Sequence, residues 1–193
     1  MSPRPGPFMP GARPPTRESP AMPATRDDLI AYLAERGIAV TTVEHPPLFT
    51  VEQSRALRGE IAGAHTKNLF LKDKKGALFL VTAEEDAVID LKHIHHRIGA
   101  SGRVSFGNPT LLMEVLGVPA GAVTPFGAIN DTGGRVTVIL DAALAAEPFV
   151  NCHPLENTAT TTIASADLVA FLRATGHEPR IVAVSGATGP DEL

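Results

Sequence analysis

The sequence has little of several features that would assign a chain to a class at once. It has no Trp, one Tyr and a single cysteine, Cys152, so it can form no internal disulfide bond and its core must be built from aliphatic side chains. It contains no apolar run of the ~20 residues that a membrane-spanning helix needs. It also has no apolar stretch of the signal-peptide type near its start. We therefore expect a cytoplasmic protein without a membrane partner.

Basic residues are also scarce. The formal net charge is -4 and the isoelectric point is about 6.0, and all five lysines lie between positions 67 and 92. A protein with an extended nucleic-acid groove normally shows a basic stripe and a high isoelectric point. Any contact with nucleic acid should therefore be small and close to the lysine-rich stretch, and we expect no DNA partner.

Composition divides the chain into one domain and two tails. Residues 1–24 hold eight of the 17 prolines and show almost no aliphatic pattern. Such a segment cannot bury enough apolar surface to offset the entropy lost on ordering. We predict a disordered proline-rich tail over 1–24, a single folded domain over 25–185 and a flexible C-terminus over 186–193.

Cap and turn signals predict helices that interleave with strands. Helices should begin at Thr25, at Asn108 before Pro109, and at Ser165, and Asp73–Gly76 should be the turn of a hairpin. Further helices are predicted over 51–58 and 91–98. Strands are predicted over 39–44, 67–71, 77–82, 136–140, 149–152, 158–163 and 180–184. The hairpin and the absence of a strict alternation favour an α/β domain with a mixed, largely antiparallel sheet and surrounding helices.

Three short polar segments adjoin the apolar runs of predicted strands. They are His65–Asn68, Gly121–Pro125 and Asn151–Asn157. Lysine, asparagine and histidine are costly to bury without partners. Their recurrence where strands begin or end predicts that the three segments share one pocket.

The first two segments each allow a functional and a structural interpretation. Neighbouring residues of a strand point to opposite faces, so Lys67 and Asn68 cannot both enter one pocket from a flat strand. Lys67 could bind an anionic group such as phosphate, or simply extend into solvent at the end of a strand. Gly121 and Pro125 could form a stiff loop whose backbone approaches a ligand, or an ordinary turn.

The third segment contains both Cys152 and His153. Because adjacent strand residues diverge, His153 is badly placed to deprotonate its neighbour, and we expect Cys152 to be a buried structural residue. His153 could be a pocket wall, a backbone acceptor or a packed side chain. We interpret His93 and His96, one helical turn apart, as a solvated face and predict no metal site.

Taken in order, these segments resemble the YbaK family of aminoacyl-tRNA editing domains. The closest resemblance is to the freestanding subgroup related to the insertion domain of bacterial prolyl-tRNA synthetase, known as PrdX or ProXp-ala proteins. It covers roughly Thr25–Val184. It is carried by His45–Thr50, His65–Asp73, Gly121–Pro125 and Asn151–Thr158.

The resemblance implies a fold and an activity. The family fold is an α/β domain with a curved mixed sheet that forms a partly closed barrel with helices around it. The family hydrolyses the ester of a wrongly charged tRNA, which for this subgroup is alanyl-tRNA for proline, and it acts in trans. The attacking water is positioned with help from the tRNA hydroxyl groups, so neither a metal nor a cofactor is implied. The implied partners are the acceptor end of an aminoacylated tRNA and a delivering prolyl-tRNA synthetase or elongation factor.

The resemblance also implies a role for individual residues. The catalytic pair would be Lys67, which contacts the phosphate near the terminal adenosine, and His153, which anchors the amino group through its carbonyl. The substrate-binding residues would be Thr50, Asn68, Gly121, Ala122, Val123, Pro125 and Asn157.

Two alternative functions stay open. The substrate could be cysteinyl-tRNA for proline, as in YbaK itself. The protein could also be a non-catalytic module that binds aminoacylated RNA or a synthetase, since the sequence shows no evident general base. Small residues in the Gly121–Pro125 segment favour alanine as the substrate. A site built for proline cannot strongly reject the smaller alanine, whereas a second pocket of alanine size admits alanine and excludes proline by steric clash.

Overall fold

The computed structural model describes residues 22–47 and 61–186. In these ranges, helices α1–α5 span Arg26–Glu35, Ile94–Ile98, Pro109–Leu116, Ala142–Ala146 and Ser165–Ala174. Strands β1–β8 span Val40–Glu44, Ala64–Asp73, Leu78–Glu84, Val104–Phe106, Val136–Asp141, Phe149–Cys152, Ala159–Ala164 and Arg180–Val182. Two short 3-10 helices, Ala120–Ala122 and Pro125–Ile129, follow α3.

The described strands form one mixed sheet in the order β1-β7-β6-β2-β3-β5-β8, with β4 also paired to β2. The pairs β1–β7, β6–β7, β2–β3 and β2–β4 are antiparallel, and the pairs β2–β6, β3–β5 and β5–β8 are parallel. The predicted α/β class with a mixed sheet is therefore confirmed. The described pairings leave β1 and β8 at opposite ends of the order, and the partly closed barrel stays a prediction.

Two of the three predicted helix caps are confirmed. Thr25 and Asp28 form a reciprocal capping box at the start of α1, and the Asn108 side chain accepts the Leu111 N–H at 2.8 Å at the start of α3. The prediction that Ser165 caps α5 is wrong, because Ala164 occupies the cap position. The Ser165 hydroxyl instead donates to the Glu147 carbonyl, which ties the start of α5 to the segment before β6.

The predicted hairpin is confirmed, and its turn is fastened by Asp73. The buried carboxylate accepts the N–H groups of Lys75 and Ala77, and also the N–H and hydroxyl of Ser101, at 2.7–2.9 Å. Hydrogen bonds from Ser101, and to a smaller extent those from the turn N–H groups of Ala77 and Lys75, hold the pKa of Asp73 well below its usual range. The bond to Ser101 draws the following segment against β2. There the short strand β4, which was not predicted from the sequence, pairs with β2.

Strand alternation separates two hydrophobic cores on opposite faces of the sheet. Phe70 and Leu80 belong to the larger core, which packs beneath α1, α3, α4 and α5. Leu71 and Phe79 belong to the smaller core, which packs beneath α2. The residues that precede Phe70 in β2 therefore alternate between the two faces. This alternation determines where the polar residues of β2 point.

The proposed boundaries of the domain stay a prediction. Within the described range, Ala24 already donates its N–H to the Asn130 side chain at 2.7 Å, so the chain contacts the domain just before α1. The predicted helix 51–58 and the candidate residue Thr50 lie outside the described residues. Within the described parts of the chain, no helix has the length and apolar character needed to cross a bilayer.

Candidate functional site

A short parallel ladder joins the first polar segment to the third. Ala64 pairs with Val150 and His65 with Asn151, and the described ladder between β2 and β6 ends there. Beyond it the Thr66 hydroxyl donates to the Asn151 carbonyl at 2.8 Å. These contacts join residues about 85 positions apart, so the strand carrying Lys67 lies beside the strand that leads into His153.

The pleat of β2 sends Lys67 and Asn68 to opposite faces of the sheet, as strand alternation predicts. Asn68 lies in phase with Phe70 on the larger-core face, where its side-chain oxygen accepts the hydroxyl of Thr82 at 2.8 Å. Lys67 lies in phase with Leu69 and Leu71 on the smaller-core face, and its ammonium donates to the Ala87 carbonyl. The two side chains therefore lie on opposite sides of the sheet.

His153 is half-buried just beyond β6. Its Nδ1 lies 3.2 Å from the Ala159 carbonyl oxygen, which can only accept, so Nδ1 carries the proton in the neutral ring and Nε2 keeps its lone pair. Burial lowers the pKa of His153, and neighbouring His45 and His65 lower it further, whereas the Ala159 carbonyl and Glu85 oppose the shift. The lowered pKa favours the neutral form of the imidazole.

Lys67 and His153 each lie two residues beyond His65 and Asn151, the last described pair of the parallel ladder. The predicted roles of both residues stay predictions.

Two histidines beside His153 were not selected as site residues from the sequence. The His45 Nε2 lies 2.9 Å from the Thr160 hydroxyl, and the His45 backbone N–H donates to the Thr158 carbonyl. The His65 Nε2 lies 3.3 Å from the Ile61 carbonyl. The signal in the sequence was that each histidine opens a segment that carries the resemblance, but only the pairing of β1, β7, β6 and β2 places them beside His153.

The loop that follows His153 contains a strained residue. Leu155 has φ of 67°, in the left-handed region, which costs a non-glycine residue about 1–2 kcal/mol. Its N–H donates to the His153 carbonyl at 3.0 Å, and its side chain is buried in the larger core. The carbonyl predicted to anchor an amino group therefore already has one donor and retains one lone pair.

The second polar segment lies beside the third. A Cβ built on Gly121 would lie 3.5 Å from the side-chain nitrogen of Asn157, which is ordinary van der Waals contact. Ala122 is fully buried in the larger core and Val123 packs at its margin. Pro125 is buried at the start of the second 3-10 helix. Two of the candidate substrate-binding residues, Gly121 and Asn157, thus lie beside each other.

Cys152 is a buried structural residue, as predicted. Its side chain belongs to the larger core and is 2% exposed. Burial raises the pKa of the thiol to about 12, despite the Thr66 hydroxyl 3.7 Å from the sulfur. The thiolate is the nucleophilic form, and burial disfavours it at Cys152.

The residues of the three polar segments therefore meet pairwise. The first and third segments join along β2 and β6, and the second and third join at Gly121 and Asn157. A single pocket that encloses all three stays a prediction.

His93 pairs with Asp90 at 2.6 Å, and the described ranges contain no group of three or more His, Cys, Asp or Glu placed to hold a metal ion.

Comparison with known proteins identifies relatives over most of the chain. The model of the aminoacyl-tRNA editing domain family matches residues 45–171. The zebrafish (Danio rerio) prolyl-tRNA synthetase associated domain-containing protein 1 is 40% identical over 81% of this chain and 86% of its own length. The prolyl-tRNA editing protein ProX of Acetoanaerobium sticklandii is 37% identical over 77% of this chain and 91% of its own.

A similar fold occurs among solved structures. A crystal structure described as that of a candidate trans-editing enzyme for prolyl tRNA synthetase superimposes with a TM-score of 0.62. The match covers 82% of this chain and 97% of the other, at 22% identity. At that identity the likeness concerns the fold alone.

Proposed function

The chain belongs to the aminoacyl-tRNA editing domain family, and on that basis we propose that it is a trans-editing deacylase that hydrolyses alanyl-tRNA for proline. The observation that carries the proposal is the match of the family over residues 45–171, which include all three polar segments. Relatives whose names refer to prolyl-tRNA editing or to an associated domain of prolyl-tRNA synthetase align over more than three quarters of the chain.

The proposed chemistry is attack of water on the ester that joins the amino acid to the terminal ribose. The Lys67 ammonium binds the phosphate near the terminal adenosine, where a charge-assisted hydrogen bond fixes the position of the RNA. The His153 carbonyl already accepts the Leu155 N–H, and its second lone pair accepts a hydrogen bond from the α-amino group of the substrate. A hydroxyl group of the substrate orients the water, and such positioning can lower a barrier by ~7–11 kcal/mol in favourable cases.

Selection of alanine would come from the wall formed by Gly121 and Asn157. Gly121 offers only backbone to a ligand, and Ala122 and Val123 beside it are small. A pocket that holds a methyl side chain excludes the ring of proline by steric clash. Cysteine differs from alanine by one sulfur atom, and a difference of that size yields only about 1–3 kcal/mol of discrimination. Cysteinyl-tRNA for proline is therefore the alternative substrate that must be tested.

The charge of the chain bears on how the tRNA is bound. A formal net charge of -4 opposes extended contact with the RNA backbone, so binding should concentrate on the acceptor end. We infer that prolyl-tRNA synthetase or an elongation factor delivers the substrate. Tight binding of deacylated tRNA that persists at high salt would contradict this inference.

The proposal is tested with the purified full chain and a panel of charged tRNAs. The panel contains alanyl, cysteinyl and prolyl esters of the tRNA for proline, and the alanyl ester of the tRNA for alanine. We expect release of alanine from the tRNA for proline to be fastest and the prolyl ester to stay intact. Preferential release of cysteine would replace the substrate by the alternative. Binding of the charged tRNAs without release of any amino acid would overturn the proposal in favour of a non-catalytic module.

A further inference from the structure

We propose that Arg26 is a positioning residue that holds the loop His153–Thr158, called here the site loop, through an ion pair with Glu156. This inference rests on the proposed function, since the site loop carries both His153 and Asn157. Neither Arg26 nor Glu156 was singled out by its sequence context, because 130 positions separate them.

Arg26 bridges three parts of the fold. One guanidinium nitrogen lies 3.0 Å from the Glu156 carboxylate and another lies 2.6 Å from the Glu44 carboxylate at the end of β1. The Glu156 carboxylate also accepts the Thr158 hydroxyl at 3.0 Å, which ties the far end of the site loop to the same oxygen. The Arg26 side chain is 28% exposed, so it lies partly within the structure.

Helix α1 is a rigid support for this bridge. Arg26 is the first residue of α1, directly after the capping residue Thr25, and Leu29 and Leu33 on the same helix are completely buried in the larger core. The guanidinium is planar and has five donors, so it can bind two carboxylates at once, which a lysine ammonium does with less definite geometry. Arg26 thereby connects Glu156 to a helix that is packed against the larger core.

The site loop requires such support because its backbone is strained. Leu155, adjacent to Glu156, has φ of 67°, and a conformation of that kind persists only where the surroundings impose it. On the other side of Glu156, the side-chain nitrogen of Asn157 lies 3.5 Å from the position that a Cβ on Gly121 would take. Glu156 therefore stands between the strained residue that bonds to the His153 carbonyl and the residue that lines the proposed pocket.

The ion pair should matter more for activity than for stability. Exposed ion pairs contribute little to folding, because solvent screens them and long side chains lose entropy. A displacement of about 1 Å in a positioning element can nevertheless lower a rate by up to ~100-fold. We therefore expect the loss of Arg26 to lower the turnover number without a matching loss of fold.

The experiment compares Arg26→Met, Glu156→Ala, Glu156→Gln and the double variant Arg26→Met/Glu156→Ala with the wild-type chain on alanyl-tRNA for proline. The matched control is Arg173→Met, which breaks an exposed Arg173–Glu178 pair of 2.7 Å at the end of α5, outside the site loop. Thermal unfolding is recorded for every variant. Amide hydrogen exchange of a peptide that covers 153–158 gives a readout that does not depend on turnover.

We expect Arg26→Met and Glu156→Ala each to lower kcat by ~10-fold, with KM within about twofold because Lys67 still binds the phosphate. The double variant should be no slower than either single variant, and Glu156→Gln should recover part of the rate because it still accepts a hydrogen bond. Exchange in 153–158 should quicken in both single variants, and Arg173→Met should match the wild type in kcat and in exchange. An unchanged kcat, or exchange in 153–158 that stays slow, in a folded Arg26→Met variant overturns the inference. A wild-type chain that releases no amino acid counts against the proposed function instead, and the exchange measurement still decides whether Arg26 holds the loop.

Discussion

Replacing Lys67 by alanine is the most direct perturbation of the proposed site. In the structure one of the three ammonium hydrogens of Lys67 is donated to the Ala87 carbonyl, which leaves two for a phosphate oxygen. Loss of one hydrogen bond to a charged partner costs about 1.5–3 kcal/mol. Since ~1.4 kcal/mol corresponds to a tenfold change in rate, we expect kcat/KM for alanyl-tRNA to fall by ~10–100-fold.

The same variant tests whether the partner of Lys67 is a phosphate. Each phosphate that a protein neutralises on single-stranded nucleic acid contributes about 0.7 to the slope of log binding constant against log salt concentration. Steady-state deacylation at several salt concentrations should therefore show a slope that is smaller by ~0.7 in Lys67→Ala. The matched control is Lys72→Ala, which removes an equal charge from an exposed position on the opposite face of the same strand.

Three results would refute the reasoning about Lys67. Deacylation by a folded Lys67→Ala variant at the wild-type rate would show that the ammonium does not contact the reacting complex. A large loss of rate with an unchanged salt slope would show that Lys67 acts on something other than a phosphate. Equal losses of deacylation rate in Lys67→Ala and Lys72→Ala would show that Lys67 acts only through the general attraction of RNA by positive charge.

Three further substitutions test other parts of the site. The methyl group of Gly121→Ala should fit 3.5 Å from the Asn157 side chain, so the melting temperature should hold while release of alanine slows; faster release would argue against a pocket wall there. Burial lowers the pKa of His153, so its contribution to stability is present above about pH 6.5 and is lost as pH falls below it. Urea unfolding should therefore show the wild type losing stability relative to His153→Gln between pH 7 and pH 4, and parallel curves would contradict the shift. Cys152→Ala should keep the deacylation rate while lowering stability by about 1 kcal/mol, and an inactive folded variant would revive the thiol as a participant.

The local part of the fold was accessible from short sequence patterns. The capping box at Thr25, the Asn108-Pro109 helix start and the turn at Asp73–Gly76 each depend on residues within four positions of one another. Ser165 shows the limit of this reasoning, since its hydroxyl found a partner 18 positions away instead of capping its own helix. Strand β4 was missed for a related reason, because an alternation over only three residues is too short to indicate a strand and the pairing depends on β2.

The candidate site depended more strongly on contacts that are distant in the chain. Its residues could be selected because polar side chains at the ends of apolar runs are costly to bury, and because their order resembles a family. Which of Lys67 and Asn68 faces which core could not be decided from their own segment, since the face follows from how Phe70 and Leu71 pack. The proximity of His45, His65 and His153 likewise required the strand order of the sheet.

The sequence by itself determined the class of the fold, the main helices and strands, the buried character of Cys152 and the three polar segments, because these follow from composition and from patterns of short range. The tertiary structure decided the parallel pairing of β2 with β6, the proximity of Gly121 and Asn157 and the bridge from Arg26 to Glu156. Each of these joins residues at least 36 positions apart. Contacts at that separation are chosen by the packing of the whole domain, which must offset the entropy of closing the intervening loop, and no local pattern records that choice.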